Sequence, residues 1–403
     1  MRVSTSQIYT IANVGMRDAQ AAINKTNSQM ASGQRVLTPA DDPVAATQIM
    51  QLTQQLGRLE QFNKNIDVAE NKLSLEEVAL DSITSLVQGM QELAVSAGNT
   101  ATLTPSEYKI MAAEVDSRIK ELLNLQNTKD SSGQYIFAGY QSAKPAYVEQ
   151  GGSVLYQGDD GSISLQVSES VTIQASDPGR KVFEGIATGR NTFTAFNSLP
   201  VIATPPGPTD VSGFSIVNQA VLDQFDGTTL ELSAAGGQLT VVSTPPNDLI
   251  SSPIAYTPGT TIDIAGVELS VQDGETIALN VTEEKSSIMQ TLTDFRDAML
   301  GVKDTSESKS ELADIVAKTL GTLNNTVTRV GEVQSEVGAR LNTLDATRNL
   351  NADSALYTTE VLGSLRDLDY AEATTRLKMQ ELVLSAAQQS FAKVSRLSLF
   401  NYL

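Results

Sequence analysis

Apolar residues recur at every seventh position through four stretches of the chain. Between Pro43 and Ala97, Leu52, Leu59, Ile66, Leu73, Leu80, Val87 and Ala94 keep one register without a break. Phe62, Ala69, Ile83, Met90 and Ala97 hold the companion position, where Glu76 is the exception. This spacing predicts a single helix with a coiled-coil seam, about 80 Å long at 1.5 Å per residue. A second rod over residues 311–361 carries Leu323, Val330, Val337 and Leu344 on one register and Leu320, Val327 and Leu341 on its companion. The two rods are of similar length and suit antiparallel packing. Near the end, Leu377, Leu384 and Phe391, with Ala373, Ala387 and Val394 between them, form a third seam that runs on to Leu397. A softer fourth, over 4–31, follows Ile8, Ile11, Gly15, Ala19, Ala22 and Thr26. Helix ends fray unless docked, so the two chain ends are expected to meet in a helical bundle suited to self-assembly.

Punctuation between the seams sets the domain plan. Gly33 can end the first helix at C′, and Pro39 forbids helix just before it. Asp42 and Pro43 supply an N-cap and an N1 residue for the long helix, so Arg35, Asp41, Asp42 and Pro43 are the candidate inter-domain connection. Thr104-Pro105-Ser106-Glu107 is a capping box. From Gly133 the period falls to two, and Gly158-Asp159-Asp160-Gly161, flanked by Val154, Tyr156, Ile163, Leu165 and Val167, reads as a hairpin turn. The two adjacent Asp lack the alternating ligands of a calcium loop, which favours a turn over a metal site. Residues 177–283 hold nine of the 13 Pro, 11 of the 27 Gly and 12 acids against three Arg or Lys. Alternating runs at Leu230–Leu232, Leu239–Val242, Ile262–Ile264 and Val267–Val271 predict a mainly-β insert there, with Thr204–Pro208 as a spacer. Helix resumes over 284–301 and, after a polar break at Lys303–Ser310, in the second rod. The expected fold is α+β in three parts. Residues 1–42 with 363–403 form a terminal helical bundle. Residues 43–176 with 284–362 form antiparallel rods with a β-hairpin, and 177–283 an outer β domain.

Composition narrows the chemistry. The chain has no Cys, which excludes disulfides and thiolate metal sites, and no His or Trp. Without His, the usual general base near neutral pH and the commonest metal ligand are both missing. Asp263, Glu268 and Asp273 could be proposed as catalytic acids in the insert, but solvent-facing strand positions explain them better. No catalytic, cofactor or metal site is therefore expected. The net charge of −19 is uneven: residues 1–40 carry +3, residues 363–403 carry +1, and the middle carries −23. An acidic surface argues against nucleic acid as a partner, and near-neutral ends suit packing against copies of themselves. No run of 18 apolar residues exists to span a membrane. Met1–Gln7 leads into no apolar block, so no cleaved signal peptide is expected.

Ser32-Gly33-Gln34-Arg35-Val36 through Asp41-Asp42-Pro43, Gly133-Gln134-Tyr135-Ile136-Phe137-Ala138-Gly139 and Leu368-Asp369-Tyr370-Ala371-Glu372-Ala373 resemble the flagellin superfamily over about 1–176 and 284–403. Asp-Asp-Pro in place of the Asp-Asp-Ala common in flagellins, and the ending Phe391–Leu403, look like the hook-associated members of that superfamily. The resemblance implies export through the flagellar type III apparatus and assembly into a junction ring between hook and filament. It also implies four kinds of partner: copies of the chain itself, a neighbouring hook-associated protein, flagellin, and an export chaperone that holds the C-terminal helix. Two other functions fit the same residues. One is a filament-forming flagellin, the other a secreted adhesin or effector whose β insert binds a ligand.

Overall fold

A computed structural model of the chain describes residues 5–99, 103–197, 214–246, 249–250 and 252–396. Its helices are α1 (Thr5–Ser32), α2 (Pro43–Ala97), α3 (Pro105–Gln126), α4 (Gly179–Phe183), α5 (Gln219–Leu222), α6 (Ile288–Gly301), α7 (Ser306–Arg366) and α8 (Tyr370–Arg396). The strands of the hairpin region are β1 (Tyr147–Gln150), β2 (Ser153–Tyr156), β3 (Ser164–Gln166) and β4 (Thr172–Gln174). Those that follow are β5 (Ile186–Asn197), β6 (Ser215–Ile216), β7 (Thr229–Ala235), β8 (Gln238–Thr244), β9 (Ile254–Ala255), β10 (Thr261–Ile264), β11 (Val267–Ser270) and β12 (Thr276–Ser286). The fold is α+β with a β insert, as the periodicity predicts. Among the described residues no helix is long and apolar enough to cross a membrane.

The chain divides into two compact units, to both of which α2 and α7 contribute. The first comprises the described residues of Met1–Asp67, Gln166–Thr172 and Leu344–Leu403; the second comprises those of Val68–Leu165 and Ile173–Thr343. In the first unit Arg348 pairs with Asp67 at 2.7 Å, and Asn351 reaches Asn63 at 3.4 Å. Rising numbers on α2 thus meet falling numbers on α7, the antiparallel arrangement expected. Leu59, Phe62, Ile66, Leu344 and Leu362 are buried there. Asn351 also donates to the Val167 carbonyl (2.9 Å), which holds the turn between β3 and β4 in place.

In the second unit Leu73, Leu80, Ile83, Val87, Met90 and Ala94 are buried on α2, with Tyr108, Val115, Ile119 and Leu122 on α3. The Thr104 capping box starts α3 as its sequence requires. The Tyr108 hydroxyl donates to the Ala97 carbonyl (3.0 Å), so α3 turns back along α2. The insert packs a five-stranded antiparallel sheet, ordered β5-β12-β7-β8-β9, with a three-stranded sheet, β10-β11-β6. Its core holds Leu230, Leu232, Leu239, Val241, Val267, Leu269, Ile277 and Leu279. These are the inward positions of the alternating runs.

Three sequence expectations change. First, Gly158–Gly161 does not join a hairpin. β2 pairs with β1 across Gly151-Gly152, both at positive φ (65° and 88°), while β3 pairs with β4. A two-residue hairpin loop needs that backbone, whereas the Asp159 carboxylate instead accepts the N–H groups of Tyr140 (2.9 Å) and Gly161 (2.8 Å). Second, residues 284–286 are strand. Lys285 and Ser286 still pair with Ala187 and Ile186 beyond a bulge, and Ser287 then caps α6. Third, α7 begins at Ser306, so the polar break is shorter than the composition suggests. The Thr204–Pro208 spacer lies outside the described residues.

β5 crosses α7 at a close approach. The Asn325 amide donates to the Ala187 carbonyl (2.8 Å), and a Cβ on Gly321 would fall 2.1 Å from the Thr188 carbonyl oxygen. Backbone on both sides leaves nothing free to yield. Gly321→Ala should therefore cost about 1–3 kcal/mol, the range for overpacking. Gly331→Ala, on the same helix and in open space, should be neutral or stabilising by up to about 1 kcal/mol. Urea denaturation of the two variants side by side checks the pair.

Candidate assembly interface

The candidate site is the pair α1 and α8 with the connections that lead out of each. On α8 the seam positions Ala373, Leu377, Gln380, Leu384, Ala387 and Phe391 recur at spacings of four and three. Ala373 is buried and the rest are half-buried. The matching stripe on α1 is Ala12, Met16, Ala19, Ile23, Thr26 and Met30, of which Ile23 and Thr26 are buried. This is a two-helix heptad seam, with one polar rung: the Thr26 hydroxyl donates to Gln380 Oε1 at 3.0 Å. Tyr370 Oη donates to the Met30 carbonyl (3.0 Å), so the helices run antiparallel from that end.

The α1 stripe is phased differently from the sequence expectation. Ala19 and Thr26 belong to both, and Ala22 is half-buried, but Ile11 and Gly15 are exposed. Two apolar stripes run along α1, and Met16, Ile23 and Met30 make the one that meets α8. Leu377, Leu384 and Phe391 are on the seam as expected. Of the remaining residues read as interface, the side chains of Ile8 and Val394 and the whole of Leu397 lie outside the described residues. Sequence reasoning missed a second stripe on α8. Met379, Leu382 and Val383, at i, i+3 and i+4, are each more than half exposed, and so is Ile11 on α1, with Val14 at half. Beside this stripe a groove of about 280 Å³ is lined by Ala19, Ala22, Arg376, Met379, Gln380 and Val383.

The connection is built from backbone pairing and two carboxylates. Gly33 turns the chain at φ +72°, and its N–H donates to the Gln29 carbonyl (2.8 Å). Arg35 N–H then donates to the Arg366 carbonyl (2.7 Å) and Leu368 N–H to the Gly33 carbonyl (2.9 Å). The Arg35 guanidinium adds a bond to the Leu365 carbonyl (2.9 Å) and a contact with Asp42 at 3.4 Å. Asp42 caps α2 by accepting the Ala45 N–H (3.0 Å), with Pro43 at the first helical position. That N–H, ahead of Arg35, holds the Asp42 carboxyl below its ordinary range. Asp41 accepts the N–H groups of Leu37 and Thr38 and pairs with Lys25 at 2.7 Å. Lys25 first, then Thr38, bring its pKa down to about 2. Arg35, Asp41, Asp42 and Pro43 thus fix a turn. Among the described residues no group of three or more acidic side chains could hold a metal ion. Asp263, an exposed position of β10, accepts the Gly266 N–H (3.0 Å), and Asp273, in the turn before β12, accepts that of Gly236 (2.8 Å).

Residues 3–142 match the bacterial flagellin N-terminal helical region, and residues 320–403 match the flagellin C-terminal helical region. The chain is 27% identical to flagellar hook-associated protein 3 of Escherichia coli over 401 residues, 99% of each chain. It is 22% identical to a flagellin of Clostridium tyrobutyricum over 386 residues, 95% of each. A crystal structure of flagellar hook associated protein-3 from Legionella pneumophila shares the fold, with a TM-score of 0.57 at 23% identity over 79% of this chain and 98% of that one.

The polar rung and the turn each predict a measurable effect. Thr26→Val leaves Gln380 without its donor and should cost about 1 kcal/mol; adding Gln380→Leu should recover it, as read by urea denaturation. Asp41, at about 2 in the folded chain against about 3.9 unfolded, gives stability that is complete above pH ~4 and is lost as pH falls through 2. Asp41→Asn should flatten that acid limb in a plot of Tm against pH.

Proposed function

This chain belongs to the flagellin superfamily, and from that membership we propose that it is the structural subunit of the ring joining hook to filament in the bacterial flagellum. The observation that carries the reading is the likeness to a hook-associated protein across 99% of both chains, the middle included. The α1–α8 pair supplies the physical means. The pair's own seam closes one face, while Met379, Leu382 and Val383 make an exposed apolar stripe on α8, and Ile11 and Val14 are exposed on α1. Such a stripe is suited to contact with further copies of the same pair.

In this reading residues 1–42 and 363–403 drive assembly, residues 43–176 and 284–362 carry the load, and 177–283 stands apart from assembly. A ring with different contacts on its two faces adapts a flexible hook to a stiff filament. Its neighbours would then be a second hook-associated protein on one side and flagellin on the other. The chain would leave the cell through the flagellar export apparatus without a cleaved signal and work outside it. Before export the seam of Leu377, Leu384 and Phe391 would need cover, and a chaperone groove that takes a helix by its i, i+3 and i+7 residues provides it.

Leu382→Asp and Val383→Asp place charge on the exposed stripe without entering the seam. Labelled wild-type protein should mark a single position between hook and filament on intact flagella. Both variants should vanish from it, with loss of motility and an unchanged helical circular dichroism spectrum. Lys378→Ala, an exposed control, should assemble normally. Long filaments grown from the purified chain alone would favour the flagellin reading instead.

A further inference from the structure

Glu76 interrupts the apolar companion register of α2, yet it is only 1% exposed. Its Oε1 has no hydrogen-bond partner, and the backbone N–H of Asp177 donates to its carboxyl group. Asp177, wholly buried just before α4, accepts from Arg340 on α7 at 2.6 and 3.4 Å, from Lys181 on α4 at 3.0 Å and from Gln174 on β4 at 3.1 Å. Both cations also reach Glu336 on α7, Lys181 at 2.6 Å and Arg340 at 3.0 Å. The groups facing Glu76 are therefore Asp177 and Lys181 from the segment entering α4, and Arg340 from α7, with Glu336 behind them.

Charge counting decides the state of Glu76. Arg340 and Lys181 already balance Asp177 and Glu336, so an ionised Glu76 would be a surplus buried anion, which is costly without a partner of its own. We propose that Glu76 is a proton-controlled latch where α2 meets the Asp177–Phe183 segment: it is neutral in the folded protein, and its ionisation, which leaves a surplus buried anion, weakens that contact. Burial, then the Asp177 charge, push its pKa up to about 8. A carboxyl raised on folding stabilises most fully below its unfolded pKa of about 4.3. That contribution is lost as pH rises from there to about 8, where the folded group ionises. The ratio of folded to unfolded chain then falls by up to about tenfold per pH unit. The chain contains no His or Cys, so no other side-chain type ordinarily titrates between pH 6 and 9.

Urea midpoints of the full chain at pH 6, 7, 8 and 9 test the latch. Wild type should lose stability from pH 6 to 8 and level off above. Glu76→Gln, neutral at every pH, should remove that decline, and the wild-type slope persisting in it would overturn the proposal. Infrared absorption by a neutral carboxyl group in the wild-type chain at pH 7, bleaching with a midpoint near 8, tests the same point should the variant not fold. Its absence at pH 7 would overturn the proposal equally.

Discussion

Two short backbone bridges hold the first unit together. Arg35 N–H to the Arg366 carbonyl, and Leu368 N–H to the Gly33 carbonyl, tie the exit from α1 to the entrance of α8. Both connections are thereby locked side by side, and the two terminal helices must begin their seam at a common level. Gly33 is required at that point because the chain turns there with positive φ, which a side chain would resist. The Tyr370 hydroxyl on the Met30 carbonyl and the Thr26–Gln380 rung then fix the register along the pair. A polar rung in an apolar seam, like Thr26–Gln380, trades some stability for a single alignment.

Much of this was legible because long heptad runs leave little choice. Seven register positions on α2, closed by Asp42-Pro43 at one end and Gly98 at the other, define a helix that the structure begins at Pro43 and ends at Ala97. The insert was readable for the matching reason, since alternation marks a half-buried strand. Failures came where two physical readings were equally good. α1 carries an Ile8–Ile11 stripe and a Met16–Ile23–Met30 stripe, and only the partner helix selects between them. Glu283-Glu284-Lys285-Ser286 has no apolar alternation at all, and its strand character comes from pairing with β5. Nothing local joins residues 76, 177 and 340, so the buried charge cluster emerges only from the fold. Its one sequence trace is the single acid on an otherwise apolar register.

The second unit shows how polar groups position elements that apolar packing alone would leave loose. Phe137 and Phe183 meet edge to face at 5.2 Å, and Phe183 also lies edge-on to Tyr147 of β1 at 6.1 Å, which brings α4 against the hairpin. Direction comes from elsewhere. Asp177 receives Arg340 in a forked contact, Arg329 donates to the Lys181 carbonyl (3.0 Å), and Asn325 takes the Ala187 carbonyl. Three successive levels of α7 therefore hold the chain as it passes from α4 into β5. The close approach at Gly321 is the apolar counterpart of that guidance.

The thinness of the α1–α8 seam has a consequence for the order in which the first unit comes apart. Its rungs on α1 are mostly Ala, Met and Thr, and only two of the six are fully buried. By contrast, α2 and α7 bury Leu59, Phe62, Ile66, Leu344 and Leu362 in the same unit. Local stability follows the density of buried apolar contact. By that measure the terminal pair opens first, from the part distant from the bridged turn at Gly33. A face that opens at so little cost can be lent to one partner and later given to another, with no rearrangement beyond that turn.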